Sequence, residues 1–503
     1  MSDWGTVDLL VVGGGVNGVG IARDAAGRGL SVVLCEKDDL AEGTSSRSGK
    51  LVHGGLRYLE YYEFRLVREA LTEREVLLNI APHIIWPLRF VLPHSPEQRP
   101  AWLIRLGLFL YDHLGGRKKL PATRTLDLRT APEGAAIQDR FGKAFEYSDC
   151  WVDDARLVVL NAIDASERGA RVEPRVAVAG LEREEGLWRA TLQPKEGGAP
   201  VTVRARAVVN AAGPWVENVV RNVARQNSSR RVRLVKGSHI VLRKFWDTPN
   251  AFLFQNTDKR VIFVNPYLDG LCLIGTTDVP YEGDAASVAI DEDEIAYLLA
   301  AVNRYTRAQL QRSDVLQTFS GVRPLLEDDA ENPSAVTRDY VFDLDGGNGR
   351  APILHVFGGK ITTYRELAEH ALEKLQPFFP SMSKAWTGRA ALPGGDLPDA
   401  DFDAFAASLE RGYRFLPGDL RLHYARLYGS RIDRVLAGAT DMAGLGRHFG
   451  GLLYEAEARY LLREEWARTA DDILERRTKH ALTLTADERA AFAEWLAGDG
   501  RPL

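Results

Sequence analysis

The stretch Asp8-Leu9-Leu10-Val11-Val12-Gly13-Gly14-Gly15-Val16-Asn17-Gly18 runs an apolar strand directly into a glycine turn. Gly13, Gly15 and Gly18 stand at the spacing G-x-G-x-x-G. In a βαβ unit the first glycine turns the chain, the second lets backbone approach a pyrophosphate, and the third packs the following helix on the sheet. A helix over Ala22-Arg23-Asp24-Ala25-Ala26 breaks at Gly27-Arg28-Gly29, and a second apolar strand, Leu30–Cys35, ends on Glu36. An acidic residue there accepts hydrogen bonds from an adenosine ribose. The whole unit predicts a nucleotide cofactor on a doubly wound α/β domain; the bland alternative is an α/β unit that merely needs a tight turn.

The sequence after Glu36 favours flavin over nicotinamide. Where a helix is expected, the chain continues as Gly43-Thr44-Ser45-Ser46-Arg47-Ser48-Gly49-Lys50-Leu51-Val52-His53-Gly54-Gly55-Leu56-Arg57-Tyr58. Hydroxyls and backbone N–H groups in such a loop can cradle phosphates. Two later strands also end in small residues: Ala207–Asn210 before Ala211-Ala212-Gly213-Pro214-Trp215, and Leu354–Phe357 before Gly358-Gly359-Lys360-Ile361-Thr362. Three such segments over about 350 residues imply one discontinuous domain along an extended cofactor. The candidate cofactor contacts are Gly13, Gly14, Gly15, Asn17 and Gly18 in the turn, then Glu36 and Lys37. Thr44, Ser45, Ser46, Lys50, Leu51, His53 and Gly54 follow in the loop, then Ala212, Gly213 and Trp215, and finally Gly359, Lys360, Ile361 and Thr362.

Several runs carry a family resemblance: Thr44 to Glu63, Phe145 to Leu157, Lys236-Gly237-Ser238-His239-Ile240, Ile274-Gly275-Thr276-Thr277-Asp278, Ser320-Gly321-Val322-Arg323-Pro324, Thr337-Arg338-Asp339-Tyr340 and Phe357–Lys360. In this order they resemble the FAD-dependent glycerol-3-phosphate dehydrogenases, most closely the bacterial aerobic respiratory branch. The resemblance spans nearly the whole chain and is weakest in Glu182–Pro200 and Asp396–Arg411. It implies FAD as cofactor and oxidation of sn-glycerol 3-phosphate to dihydroxyacetone phosphate, with hydride passing from C2 to flavin N5 and electrons to membrane quinone. It also implies peripheral attachment at the cytoplasmic face of the plasma membrane, and a homodimer. The rival readings are an oxygen-reducing glycerol-3-phosphate oxidase and an amine or amino-acid oxidase of the same fold.

Composition agrees with a globular, multidomain chain. The 503 residues are 45% hydrophobic and 26% charged, too long for one core. A net charge of −5 argues against bulk nucleic-acid binding. Three scattered cysteines, Cys35, Cys150 and Cys272, offer neither a CxxC metal site nor a disulfide framework. No secretory signal is recognisable. The apolar run Ala101–Tyr111 is too short to span a bilayer and is followed by Arg117-Lys118-Lys119; it suits a helix lying in a membrane interface or, equally, a core helix.

The expected organisation is a Rossmann-like FAD domain from residues 1–85, 150–235 and 350–385, and a mainly antiparallel substrate domain from 86–149 and 236–349. After the linker Leu392-Pro393-Gly394-Gly395-Asp396-Leu397-Pro398 an all-helical domain fills 390–503. In it, Ala470–Thr478 fits the family pattern, with capping and surface ion pairs as its expected role.

A phosphorylated alcohol needs cations for its dianion and a base for its hydroxyl proton. The resemblance implies that Arg323, Arg338 and Lys360 flank substrate, with Arg57 and Tyr58 lining the same pocket. Arg338 is assigned mainly to phosphate, and Arg323 and Lys360 to the developing alkoxide or the reduced flavin. His239 is the first choice for the base and His53 the second, with a non-histidine base or a water as the remaining alternative; an ordinary imidazole titrates near neutrality. No metal site is expected.

Overall fold

The computed structural model describes residues 2–498 apart from 229, 257, 259, 269 and 327–338. Leu9, Leu10, Val11 and Val12 are all buried, as a central strand covered on both faces requires. That strand, Ser2–Val12, pairs in parallel with Val32–Glu36 on one side and Val201–Asn210 on the other. The eight-stranded sheet runs Val341–Gly347, Arg350–Phe357, Val201–Asn210, Ser2–Val12, Val32–Glu36, Arg171–Pro174, and the antiparallel pair Val176–Glu184 and Leu187–Pro194 joins it at Val201–Asn210. Helix Val16–Gly27 lies between helices Asp154–Glu167 and Tyr364–Leu375 on one face. A Cβ on Gly20 would sit 2.8 Å from the Tyr364 ring, and one on Gly18 would sit 1.9 Å from the Gly13 carbonyl oxygen. Gly13 itself has φ +114°, a conformation open to glycine.

The second sheet has ten strands and is antiparallel except where Ala251–Gln255 meets Ile85–His94. Its centre is Val232–Arg243, Leu271–Gly275 and Val261–Tyr267; Gln317–Leu326 pairs with the other edge of Val232–Arg243. Helix Glu292–Asn303, closed by a capping box from Asp291 and Glu294, covers one face of this sheet. The opposite face looks toward the glycine turn. Two short elements fall differently from the expected ranges. Val341–Gly347 pairs with Arg350–Phe357 in the first sheet, and Leu51–Val52 pairs with Lys143–Val152 in the second.

The last hundred residues pack helices Phe402–Gly412, Gly418–Tyr428, Glu455–Glu464 and Ala486–Ala497 around their own core. They also hold a two-stranded sheet, His448–Gly450 with Leu453–Tyr454, that the sequence analysis did not anticipate. Gly450 and Gly451, both at positive φ, make its turn.

The Ala470–Thr478 segment carries buried ion pairs rather than surface ones, because it faces the first domain. The Arg477 guanidinium, fully buried, donates to Asp39 at 2.6 and 2.8 Å, and Arg476 donates to the same carboxylate at 2.7 Å. Arg175 reaches Asp472 at 2.5 Å, and Arg156 pairs with Glu465. Breaking such a pair from one side strands a buried charge, at about 3–5 kcal/mol. Asp39→Asn is therefore expected to lower unfolding stability by about that amount, read by chemical denaturation; a loss below about 1 kcal/mol would contradict this role.

Candidate active site

A cavity of about 470 Å³ runs from the glycine turn to the cavity-facing side of the second sheet. At one end lie Gly13, Gly15, Asn17, Glu36 and Lys37. The Glu36 carboxylate accepts the Gly14 N–H at 2.6 Å and the Asp38 N–H at 2.9 Å. Burial pushes its pKa up, offset in part by those two bonds. Gly14 lies behind the cavity, where a Cβ would meet Glu36 at 2.7 Å, and Gly18 sits under the turn. Lys37 rests over the Trp215 ring at 4.3 Å.

The loop supplies the next wall. Thr44, Ser45, Leu51 and His53 line the cavity; Thr44 donates to the Val322 carbonyl at 2.6 Å, and Ser45 Oγ accepts the Val16 N–H at 3.0 Å. Ser46 and Lys50 do not line it. They face a second, polar cavity behind the loop, because Lys50 Nζ is drawn to buried Asp154 at 2.8 and 3.0 Å and to the Ser46 carbonyl at 3.0 Å. Ser48 also donates to Asp154, at 2.8 Å. Burial works against that carboxylate, but Lys50 and Lys479 outweigh it and hold its pKa below the usual range. Gly54 is likewise withdrawn, its N–H held by the Tyr111 hydroxyl at 2.7 Å. Ala212, Gly213, Trp215, Gly359, Lys360, Ile361 and Thr362 also line the cavity.

At the far end, one row across the second sheet sets the chemistry. His239 pairs with Gly275, which pairs in turn with Phe263. A Cβ on Gly275 would collide with the His239 ring at 2.2 Å, so this glycine gives the imidazole its place. His239 stacks on Phe319 at 4.9 Å and is 4% exposed. Burial, reinforced by the charges of Arg323 and Lys50, pushes its pKa down to about 3. His53 differs: its Nδ1 accepts the Gly55 N–H at 3.1 Å, so the neutral ring carries its proton on Nε2 and presents a donor.

Arg323, Lys360 and Tyr58 also line the cavity, and the charge of Arg323 bears on His239. Arg323 pairs with Asp278 and donates to Thr276 Oγ1 at 2.8 Å, and the Lys360 ammonium lies over the Tyr58 ring at 4.1 Å. Arg57 is not part of the cavity wall; it sits in the turn Leu56–Tyr61 and reaches the Tyr61 hydroxyl at 3.4 Å. Arg338 lies outside the described residues. Arg47, Asn265, Thr276 and Asp339, none of them among the residues expected from the sequence, also line the cavity. Arg47 and Thr276 stood within the quoted family runs but carried no local sign of their direction. Away from this cavity, His423 and His480 both meet the buried Glu457 carboxylate, at 2.7 and 3.4 Å, with the Tyr428 hydroxyl at 2.7 Å. Hydrogen bonding accounts for that group.

Residues 8–365 match the family model described as FAD dependent oxidoreductase, and residues 385–497 match the C-terminal domain of alpha-glycerophosphate oxidase. The aerobic glycerol-3-phosphate dehydrogenase of Escherichia coli (strain K12) is 51% identical over 98% of this chain and 97% of its own. The D-erythritol 1-phosphate dehydrogenase of Brucella abortus (strain 2308) is 65% identical over 98% of both. The glycerol-3-phosphate dehydrogenase from Bacillus halodurans, solved with FAD, superposes with a TM-score of 0.75 at 27% identity, covering 98% of this chain and 94% of that one. The chain belongs to the FAD-dependent glycerol-3-phosphate dehydrogenase family. FAD is its cofactor, and the residues present fit it. The cradle at Gly13 leaves no room for a side chain, the Ala211 carbonyl being 2.6 Å from where a Cβ would stand, and Asn17 holds an unpartnered buried Oδ1 toward the same end.

The lowered pKa predicts that His239 stays neutral well below an ordinary imidazole. In histidine-labelled holoprotein its ring signals are expected to keep their neutral shifts from pH 8 to about 5. A midpoint near 6.5 would contradict the burial described here.

Proposed function

We propose that this protein oxidises the secondary alcohol beside the phosphorylated carbon of a small polyol phosphate. The observation that carries the reading is that buried His239, under the charge of Arg323, lines the same cavity as Lys360 and the glycine turn. FAD, when bound, supplies the two-electron acceptor. The unprotonated ring nitrogen of His239 takes the hydroxyl proton. Arg323, oriented by Asp278 and Thr276, and Lys360 stabilise the negative charge that develops on the oxygen. His53 holds substrate or flavin as a donor, and Arg338 is assigned to the phosphate.

Two substrates fit this chemistry. sn-Glycerol 3-phosphate, giving dihydroxyacetone phosphate, follows from the family. D-Erythritol 1-phosphate is favoured by the 65% identity of the Brucella abortus relative, and it carries the same vicinal arrangement of phosphate and alcohol. With an artificial acceptor, both are expected to turn over, D-erythritol 1-phosphate with the higher kcat/KM. The reverse order would return the assignment to glycerol 3-phosphate, and Arg323→Ala with undiminished kcat would remove its role in charge stabilisation.

Quinone as the acceptor and attachment to a membrane surface belong to the same proposal. Helix Ala101–Leu114 exposes Trp102, Leu106 and Phe109, spaced along one face. Tyr61 and Phe64 are exposed on the elements it packs against, with Tyr62 exposed between them, and Arg117, Lys118 and Lys119 follow the helix. An apolar face edged by cations suits an anionic lipid surface. Among the described residues no helix is long and apolar enough to cross a membrane. Trp102→Ser/Phe109→Ser is expected to leave the protein unsedimented by anionic vesicles that carry the unmodified protein down; equal sedimentation would overturn the surface assignment.

A further inference from the structure

Among the described residues three that line the cavity carry a buried side-chain polar atom without a hydrogen-bond partner: Asn17 Oδ1, His239 Nδ1 and Asn265 Oδ1. A buried polar atom without a partner is costly, and in a binding site it marks a place where the ligand completes the bond. Asn17 lies at the glycine turn, with its amide nitrogen on the Gly358 carbonyl at 3.1 Å. His239 is accounted for by its proposed role as base. Asn265 is unexplained.

Its position is well determined. Asn265 is 1% exposed, on the strand Val261–Tyr267, two residues beyond Phe263 and therefore on the same face of the sheet. It pairs with Leu273, as Phe263 pairs with the glycine beside His239. Its amide nitrogen donates to the Gly49 carbonyl at 3.3 Å. Only nitrogen can donate there, so the carboxamide is fixed and the oxygen is the atom left over. Gly49 also borders the base: a Cβ on it would stand 3.6 Å from His239 Nε2. One loop glycine thus ties the carboxamide and the imidazole to the same end of the cavity.

Asn265 Oδ1 can only accept. A phosphate dianion, which at neutral pH is rich in acceptors, is repelled by it and belongs at the opposite end of the substrate. A polyol hydroxyl donates. We propose that Asn265 Oδ1 accepts a hydroxyl from the non-phosphorylated end of the substrate, on a carbon beyond the one oxidised. This subsite orients the molecule with its phosphate away from Asn265 and its reacting carbon, attended by Arg323 and Lys360, between the two ends. The inference rests on the polyol-phosphate reading above and adds a specificity-determining residue to it.

The test compares two substrates in the reductive half-reaction of the holoenzyme, followed anaerobically by stopped flow: sn-glycerol 3-phosphate, and propane-1,2-diol 1-phosphate of matching configuration, which keeps the phosphate and the reacting alcohol but lacks the terminal hydroxyl. The unmodified protein is expected to favour glycerol 3-phosphate by about 10- to 100-fold in the second-order rate of flavin reduction. Asn265→Leu is expected to lose that preference by slowing the glycerol phosphate alone, with FAD content and flavin spectrum unchanged. Asn265→Gln, which retains both an amide N–H for the Gly49 carbonyl and an acceptor oxygen, is expected to keep part of it. No preference in the unmodified protein, or a preference that survives Asn265→Leu, would overturn the subsite. Loss of FAD or a shifted flavin spectrum in both variants would assign Asn265 to the cofactor instead. Failure of both compounds and of D-erythritol 1-phosphate to reduce the flavin of the unmodified protein would overturn the polyol-phosphate reading, and the subsite with it; reduction by D-erythritol 1-phosphate but not by glycerol 3-phosphate would overturn the subsite alone.

Discussion

One wall of the cavity depends on one buried carboxylate. Asp154 opens helix Asp154–Glu167, and its two oxygens bind Lys50 Nζ and the Ser48 hydroxyl. The loop from Gly43 to Tyr58 has little regular structure of its own, so this ion pair fixes where its backbone runs. The neighbouring Asp153 caps the same helix through the Arg156 N–H and binds Lys479 Nζ at 2.5 Å. First domain, loop and C-terminal domain therefore converge on two adjacent acids at a helix N-terminus, where the helix dipole favours negative charge. Buried pairs of this kind add little net stability over an apolar core, but they tolerate no loss of one partner. Their effect is positional.

Position matters because the two sheets contribute different things. The parallel sheet ends in a glycine turn and an acidic residue, a form that receives a dinucleotide. The antiparallel sheet presents a flat face on which side chains two apart on a strand, or directly paired across strands, stand together. Phe319, His239, Gly275 and Phe263 form one such row. The missing side chain at Gly275 gives the imidazole room, and the aromatic neighbours keep water from it. A histidine so held remains neutral near Arg323 and Lys50, which is the form that can accept a proton.

How much of this was legible in the sequence follows from the range of each signal. The glycine turn, the strand ending at Glu36 and the helical C-terminal part are local patterns and could be read directly. The loop's composition announced a ligand, yet could not say which of its side chains face it; Lys50 turns away because its carboxylate partner stands 104 residues later. Arg476 and Arg477 looked like ordinary surface cations, since Asp39, which buries them, lies at the other end of the chain. Asn265 had no signal at all: its meaning comes from sheet register and from a carbonyl at Gly49.

The central claim is that cofactor and polyol phosphate meet at this cavity, and the most direct measurement is an anaerobic one. The purified yellow protein is mixed with sn-glycerol 3-phosphate, D-erythritol 1-phosphate, glycerol or erythritol, and the visible absorbance of its flavin is followed. Rapid loss of absorbance with the phosphates, and none with the free polyols, is the predicted result. A flavin that stays oxidised with both phosphates would contradict the account.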